Sequence, residues 1–105
     1  MKNFWLGFLL CIFLTGCGQP TVYELNKNVK EAGTAITNKS WSKAEEETRK
    51  FLDNWMYVRS NYSHKDRKKL ERLTENLEMS LAVSNSKKAN EDWKKLKHQW
   101  DLMND

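Results

Sequence analysis

The spacing of apolar residues in four separate segments constrains the fold of this chain more than any other feature. Within each segment these residues recur every three or four positions, which places them on one face of an α-helix. Pro20 is the only proline, and no segment alternates apolar and polar residues as a half-buried strand does. The sequence therefore predicts four amphipathic helices. Their stripes are Val22, Leu25, Val29, Ala32 and Ile36; Trp41, Ala44, Thr48, Phe51, Trp55, Val58 and Tyr62; Leu70, Leu73, Leu77 and Leu81; and Ala89, Trp93, Leu96, Trp100 and Met103.

Short polar stretches connect the four segments, at residues 37–40, 60–63 and 84–86. Connections of this length force neighbouring helices to run antiparallel. Because each helix has a single apolar face, the four faces have to meet in one core. We therefore predict an all-α domain over residues 22–105, folded as an antiparallel up-and-down bundle of four helices.

The first helix is the weakest of the four by local propensity. Gly33 and the β-branched residues at positions 34, 36 and 37 lower the helix propensity of its second half. The alternative architecture is therefore three packed helices with a looser first helix. Capping signals mark the helix starts. They are Thr21 with Glu24 for the first helix, Ser40 or Ser42 for the second, and Ser63 with Asp66 for the third.

The N-terminal segment is apolar in a different way. Eleven uncharged residues run from Phe4 to Leu14, preceded by the basic Lys2 and followed by the small residues Thr15 and Gly16. A helix that spans a bilayer needs about 20 apolar residues, so this run is too short for one. A positive start, a short apolar centre and small residues at the end are typical of a secretory signal peptide. We predict that residues 1–16 are such a peptide and are removed.

The residues at the end of this segment, Leu14-Thr15-Gly16-Cys17, resemble the lipobox of bacterial lipoproteins. The resemblance implies that the Cys17 thiol carries a diacylglycerol with palmitate-like chains, and that cleavage makes Cys17 the new N-terminus. Residues 17–21 would then be a lipidated tether at the outer face of the cell membrane. Two acyl chains anchor a protein durably, whereas one chain binds only marginally. The alternatives are an ordinary cleaved signal peptide, which leaves a free thiol, and an uncleaved short anchor.

Cysteines and charge limit the remaining functions. Cys11 would leave with the signal peptide and Cys17 would be acylated, so neither a disulfide nor a thiolate metal site is expected. Loss of Lys2 lowers the formal net charge from +4 to +3. That charge is compatible with an anionic membrane surface and far below the footprint of a nucleic-acid-binding protein. We therefore predict no nucleic-acid partner.

The mature part has a second resemblance. The segments ITNKSWSKAEEETRKFLDNW and LERLTENLEMSLAVSNSKKANEDWKKLKHQW, with His64 between them, resemble a family of small membrane-anchored helical proteins of unknown function from Gram-positive bacteria. The similarity covers nearly the whole mature chain and rests mainly on Trp41, Ala44, Trp55, His64 and the spacing from Leu70 to Leu96. It departs at Lys65 to Lys69, which is basic where the family is more acidic. The resemblance implies a fold and a location, not an activity.

The titratable residues show no catalytic pattern. His64 and His98 have Asp66 and Asp101 nearby in sequence, and two histidines with two carboxylates could bind a metal ion. However, pairing of the last two helices places His98 opposite a residue about 12 Å from His64, at 1.5 Å per residue. The chain also has no HExxH motif, no nucleophile with a paired histidine and no glycine-rich phosphate loop. We predict a protein that is not an enzyme and that holds no metal or cofactor.

Two groups of side chains remain as candidate sites. The tryptophans of the mature part either form the core, which a small domain without disulfides requires, or line a groove for a peptide, glycan or lipid tail. The basic cluster is either a solvated, salt-bridged surface or a contact for anionic head groups or wall polymers. The tryptophans are Trp41, Trp55, Trp93 and Trp100, and the basic cluster is Lys65, Arg67, Lys68, Lys69 and Arg72.

These observations favour a lipid-anchored helical interaction module on the extracytoplasmic side of the cell membrane. Its expected partners are the membrane, through Cys17, and another envelope protein. The alternative is a binder of a small ligand, lipid or peptide that uses an aromatic groove between helices.

Overall fold

Four α-helices form an antiparallel up-and-down bundle in the computed structural model, which describes residues 21–104. They are α1 (Val22–Thr37), α2 (Trp41–Val58), α3 (His64–Ala82) and α4 (Ser86–Met103), with a 3₁₀ turn at Arg59–Asn61. The predicted fold class is confirmed. The predicted signal peptide and the lipidated Cys17 lie outside the described residues.

The bundle consists of two helical hairpins packed side by side. α1 packs on α2, α3 packs on α4, and the hairpins meet through contacts of α1 with α4 and of α2 with α3. We call the end that contains the start of α1, the end of α2, the start of α3 and the end of α4 the N-terminal end. The opposite end, which contains the connections 38–40 and 83–85, is the loop end.

Side-chain caps fix the starts of three helices. Thr21 Oγ1 accepts from the Glu24 N–H at 3.4 Å, and Ser63 Oγ accepts from the Asp66 N–H at 3.2 Å, as the sequence predicts. Asn85 Oδ1 accepts from the Lys88 N–H at 3.0 Å. The expected cap of α2 is wrong, because Ser40 occupies the N-cap position without a capping side-chain hydrogen bond and Ser42 lies inside the helix.

The two connections at the loop end have the same backbone geometry. Lys39 and Ser84 adopt positive φ angles of 57° and 53° directly after α1 and α3. The next N–H groups, of Ser40 and Asn85, then turn back to helix carbonyls at 2.8 and 3.1 Å. This is the Schellman arrangement, which satisfies the last carbonyls of a helix. Each connection therefore ends one helix and immediately positions the next.

The first helix is packed, so the alternative with a looser first helix is wrong. Leu25, Val29, Ala32 and Ile36 are all buried, although Val22 at the start of the stripe is exposed. Gly33, which suggested weakness, lies against the ring of Trp93, where an added Cβ would be 2.3 Å from Cζ2. The glycine allows close packing of α1 and α4, and that tertiary contact outweighs its low helix propensity.

The second helix is shorter than its apolar stripe predicts. The stripe continues to Tyr62, but the α-helix ends at Val58 and a 3₁₀ turn follows. Tyr62 is extended, and its N–H donates to the Arg59 carbonyl at 3.1 Å. This turn brings the Tyr62 ring back over the core at 5.3 Å from the Trp55 ring. None of the helices within residues 21–104 combines the length and apolar character needed to cross a bilayer.

Candidate functional site

An aromatic cluster fills the core near the N-terminal end. The Trp100 ring lies 5.5 Å from Phe51, 5.9 Å from Tyr62 and 6.1 Å from Trp55, between ring centroids. The contacts with Phe51 and Trp55 are edge-to-face, the arrangement that aromatic quadrupoles favour. Because these rings come from α2, the turn after it and α4, the cluster joins the two hairpins.

Three indole N–H groups have partners inside the bundle. Trp55 Nε1 donates to Glu71 at 2.7 Å, Trp100 Nε1 donates to Asn26 at 2.5 Å, and Trp93 Nε1 donates to the Val29 carbonyl at 2.8 Å. Trp55 and Trp100 are each 1% exposed and therefore belong to the core, not to an open groove.

The other two tryptophans, Trp41 and Trp93, are partly buried against the same core. The polar surface groove between α1 and α2 and the one beside Ile36 and Lys94 are not lined by a tryptophan.

Large apolar side chains are exposed unevenly over the described helices. Met79 and Val83 lie near the loop end, and the others lie at the N-terminal end. The second group comprises Val22, Tyr23, Met56, Tyr57 and Leu102. The N-terminal end therefore combines an aromatic core with five of the exposed large apolar side chains.

Most of the predicted basic cluster lies exposed at this same end. Lys65, Lys68 and Lys69 are in the first two turns of α3, and Arg72 is one turn further along. Arg67 differs, because it is half-buried and its Nη1 donates to the Tyr62 carbonyl at 2.7 Å. Arg67 therefore fixes the turn before α3, which leaves four of the five residues accessible.

A second basic side chain is also used internally. Arg59 Nε donates to Glu71 Oε2 at 2.9 Å, the oxygen that also accepts from Trp55. The hydrogen bond from Arg59 lowers the pKa of Glu71, which outweighs the opposing effect of burial. Glu71 is therefore held as a carboxylate between α2 and α3.

The histidines do not form a common site. His64 and His98 are both exposed, at the start of α3 and in the second half of α4. Within residues 21–104 no group of three or more histidine, cysteine, aspartate or glutamate side chains is placed to hold a metal ion.

A polar cluster that the sequence analysis missed lies in a groove of about 630 Å³ between α1 and α2. Asn28 Nδ2 donates to Glu47 Oε1 at 3.3 Å, and Asn54 Nδ2 donates to Asn28 Oδ1 at 2.9 Å. Lys43 and Lys50 approach Glu47 Oε2 at 3.1 and 3.5 Å. Burial alone would raise the pKa of Glu47, but these partners lower it. The cluster therefore contains a buried, ionised carboxylate whose neighbours satisfy it.

A second buried carboxylate joins α3 to α4. The Ser80 hydroxyl donates to Asp92 Oδ2, and Lys88 Nζ donates to Asp92 Oδ1 at 3.0 Å. Burial opposes ionisation of Asp92, but the hydrogen bonds from Ser80 and Lys88 outweigh it and lower the pKa. A carboxylate whose pKa is lowered is a weak general base at neutral pH. The arrangement is therefore suited to joining the helices.

The sequence spacing of these polar residues indicates that they are buried. Asn28, Glu47 and Asp92 each lie three residues after one buried apolar residue and four before another. Such positions border the apolar stripe and face the seam between two helices. The spacing predicts burial, but it does not identify the partner across the seam.

Comparisons with known proteins give no relative for this chain. No protein-family model matches it, and neither a curated protein nor a solved structure matches it significantly.

Proposed function

We propose that this protein is a lipid-anchored, non-enzymatic interaction module at the outer face of the cell membrane, where it docks another envelope protein. The lipobox-like Leu14–Cys17 segment supplies the anchor in this proposal. Two acyl chains on Cys17 would hold the chain durably, which the short apolar peptide cannot do.

The observation that carries the proposal is the distance between Cys17 and the folded domain. α1 begins at Val22, and its cap is Thr21, so only four residues, 18–21, follow the cysteine before the first helix. Four extended residues reach at most about 14 Å. A bundle tethered so closely remains beside the membrane, where it meets membrane-bound partners rather than diffusing freely.

Three carboxyl groups of the described residues have structural partners. Glu47, Glu71 and Asp92 are paired with lysine or arginine side chains, and the pKa of each carboxyl is lowered. General acids and bases that work near neutral pH instead need pKa values close to neutrality. These carboxylates are therefore suited to holding helices together.

Replacement of Cys17 tests the anchor. We expect Cys17→Ser to leave the chain unprocessed or to move it out of the membrane fraction, while Cys11→Ser, which changes only the signal peptide, leaves both unchanged. Mass spectrometry of the native product should find an acylated N-terminal Cys17. An intact Met1, or a free thiol at position 17 in a membrane-bound product, would contradict the proposal.

Cross-linking in intact cells tests the docking function. We expect a cross-linked envelope protein to co-purify with the acylated chain after solubilisation of the membranes. Cells that carry Cys17→Ser provide the control, because loss of the anchor should strongly reduce this product. Recovery of the same product at the same yield without the anchor would argue against docking at the membrane.

A further inference from the structure

We propose that the N-terminal end of the bundle rests on the anionic lipid surface in which Cys17 is anchored, so that the bundle stands on this end. This inference rests on the proposed lipid anchor and adds an orientation and a contact surface to it. The contact surface consists of Tyr23, Met56, Tyr57, Leu102, Lys65, Lys68 and Lys69.

The apolar part of this surface fits the interfacial region of a bilayer. Tyr23, Met56, Tyr57 and Leu102 come from three helices but are all exposed at the N-terminal end. Tyrosine is favoured at membrane interfaces because its ring is apolar and its hydroxyl is polar. A bilayer interface would cover these side chains without requiring a pocket.

The charge of the same end complements anionic lipids. Between Arg59 and Arg72 the sequence has six basic and two acidic side chains. The formal net charge of the whole chain is +4, so this segment accounts for all of the excess positive charge. Clusters of lysine and arginine beside an anchored segment bind anionic head groups. Three of these basic side chains, at positions 65, 68 and 69, lie exposed in the first two turns of α3, and the exposed Arg72 lies near the middle of that helix.

The anchor selects this end over the loop end. α1 starts at the N-terminal end, and its 16 residues span about 24 Å to the loop end. The four residues after Cys17 reach at most about 14 Å. The tether is therefore too short for an inverted orientation, in which the loop end would rest on the membrane and the N-terminal end would point away from it.

Internal contacts make the contact surface rigid. The Tyr62 hydroxyl donates to Asn104 at 2.6 Å, and the Arg67 guanidinium binds the Tyr62 carbonyl. The turn between α2 and α3 is thereby fixed to the end of α4. The segments that carry Tyr57, Lys65 and Leu102 are thus held together before any contact with lipid.

A matched pair of methionines provides the test. Met56 at the N-terminal end is 65% exposed, and Met79 near the loop end is 67% exposed. Met56→Cys and Met79→Cys are each labelled with an environment-sensitive fluorophore in the acylated chain, whose Cys17 thiol is already modified. The labelled proteins are reconstituted into vesicles that contain phosphatidylglycerol, and flotation confirms that they are anchored.

We expect a blue-shifted emission at position 56, with quenching by nitroxide-labelled lipids, and a water-like emission at position 79. Lys68→Glu with Lys69→Glu should reduce the blue shift at position 56, as should vesicles of phosphatidylcholine alone. The matched charge control is Lys39→Glu with Lys87→Glu, which changes two exposed residues at the loop end and should have no effect.

The other outcomes would overturn the lipid anchor, the orientation or the lipid contact. A chain that does not float with vesicles overturns the lipid anchor itself. An anchored chain with a water-like position 56, or with equal quenching at both positions, overturns only the orientation. A blue shift at position 56 that appears only at high protein density would assign this end to a second copy of the chain and reject the lipid contact.

Discussion

Trp55 and Arg59 share one acceptor, because the indole N–H and the guanidinium Nε both donate to Glu71 Oε2, at 2.7 and 2.9 Å. Trp55 lies in the last turn of α2, Arg59 begins the 3₁₀ turn that follows, and the acceptor lies in α3. This arrangement joins the two hairpins beside the aromatic cluster. It also satisfies the only polar atom of a tryptophan side chain that is 1% exposed.

The first prediction concerns Trp55. Trp55→Ala should lower the free energy of unfolding by about 3–5 kcal/mol, because large aromatic truncations leave a cavity. Trp55→Phe should cost less, since it keeps most of the ring contacts and removes the hydrogen bond to Glu71. Chemical denaturation measures both. Met56→Ala is the control, and as an exposed neighbour it should change stability by less than about 0.5 kcal/mol. Equal effects at positions 55 and 56 would contradict the burial of Trp55.

The second prediction concerns Gly33 and Trp93. Gly33→Ala would place a Cβ 2.3 Å from Cζ2 and 2.5 Å from Cε2 of the indole, which is held by its hydrogen bond to Val29. We expect a loss of about 1–3 kcal/mol from overpacking, despite the higher helix propensity of alanine. In a Trp93→Leu background the same substitution should become neutral or stabilising. The clash with the indole is then absent, and alanine has a helix propensity about 1 kcal/mol more favourable than that of glycine.

A double-mutant cycle measured by thermal unfolding isolates this coupling. Thr34→Ala is the control, since Thr34 is an exposed residue next to Gly33 on the same helix. If Gly33→Ala were equally destabilising with and without the indole, the close approach of α1 and α4 would not be the cause of the destabilisation.

The third prediction concerns the two positive φ angles at the loop end. Lys39 and Ser84 adopt the left-handed conformation with a Cβ, which costs about 1–2 kcal/mol relative to a conformation that suits L-residues. Glycine removes this cost but loses about 0.5–1 kcal/mol through the greater freedom of the unfolded chain. Lys39→Gly and Ser84→Gly should therefore each raise the stability, by up to about 1.5 kcal/mol.

Lys87→Gly provides the opposite control for these variants. Lys87 lies inside the first turn of α4, only three residues after Ser84. Glycine there should lower stability by up to about 1 kcal/mol, because the position is helical. Differential scanning calorimetry of the three variants tests the sign of each effect. A decrease in melting temperature for Ser84→Gly would contradict the strain at that position.

Local signals in the sequence determined most of the fold. The apolar spacing located four helices, and Ser63 with Asp66 located the start of α3, because both signals act within one or two helical turns. The end of α2 was not predictable in this way. Tyr62 continues the apolar spacing, but its ring contacts Trp55 and Trp100 from outside the helix. That contact depends on the packing of α4, which no local pattern encodes.

The partners of polar side chains on other helices were likewise not predictable from local patterns. Asn26 is an exposed residue with an ordinary position in α1, yet its side chain accepts from Trp100, which lies 74 residues later. Glu47 lies in an acidic run that suggests a solvated surface, although its spacing places it at the seam. The basic cluster was identified from composition, but only the structure separates Arg67, which binds Tyr62, from its exposed neighbours. Partners across helices require the three-dimensional arrangement.

The last prediction concerns stability at acid pH. The ordinary pKa values of the Glu47 and Asp92 carboxyls are 4.5 and 3.8, and both pKa values are lower in the folded protein. A group whose folded pKa is lowered stabilises the fold above its unfolded pKa, and this contribution disappears as pH falls through the folded value. We therefore expect a nearly constant melting temperature from neutral pH to about 5, followed by a decline that begins below about 4.5.

Amide substitutions assign this decline to the two carboxyls. Glu47→Gln and Asp92→Asn should each lower stability near neutral pH by about 1–3 kcal/mol, because each substitution removes a charged acceptor from buried hydrogen bonds. The acid decline should become shallower in each variant, since each substitution removes a carboxyl whose pKa differs between the folded and unfolded states. Glu45→Gln, at an exposed position on the same helix as Glu47, should leave the decline unchanged. If the decline were equally steep in a variant that combines Glu47→Gln with Asp92→Asn, other carboxyls would control acid unfolding. Glu47 and Asp92 with their lysine partners would then have only a packing role.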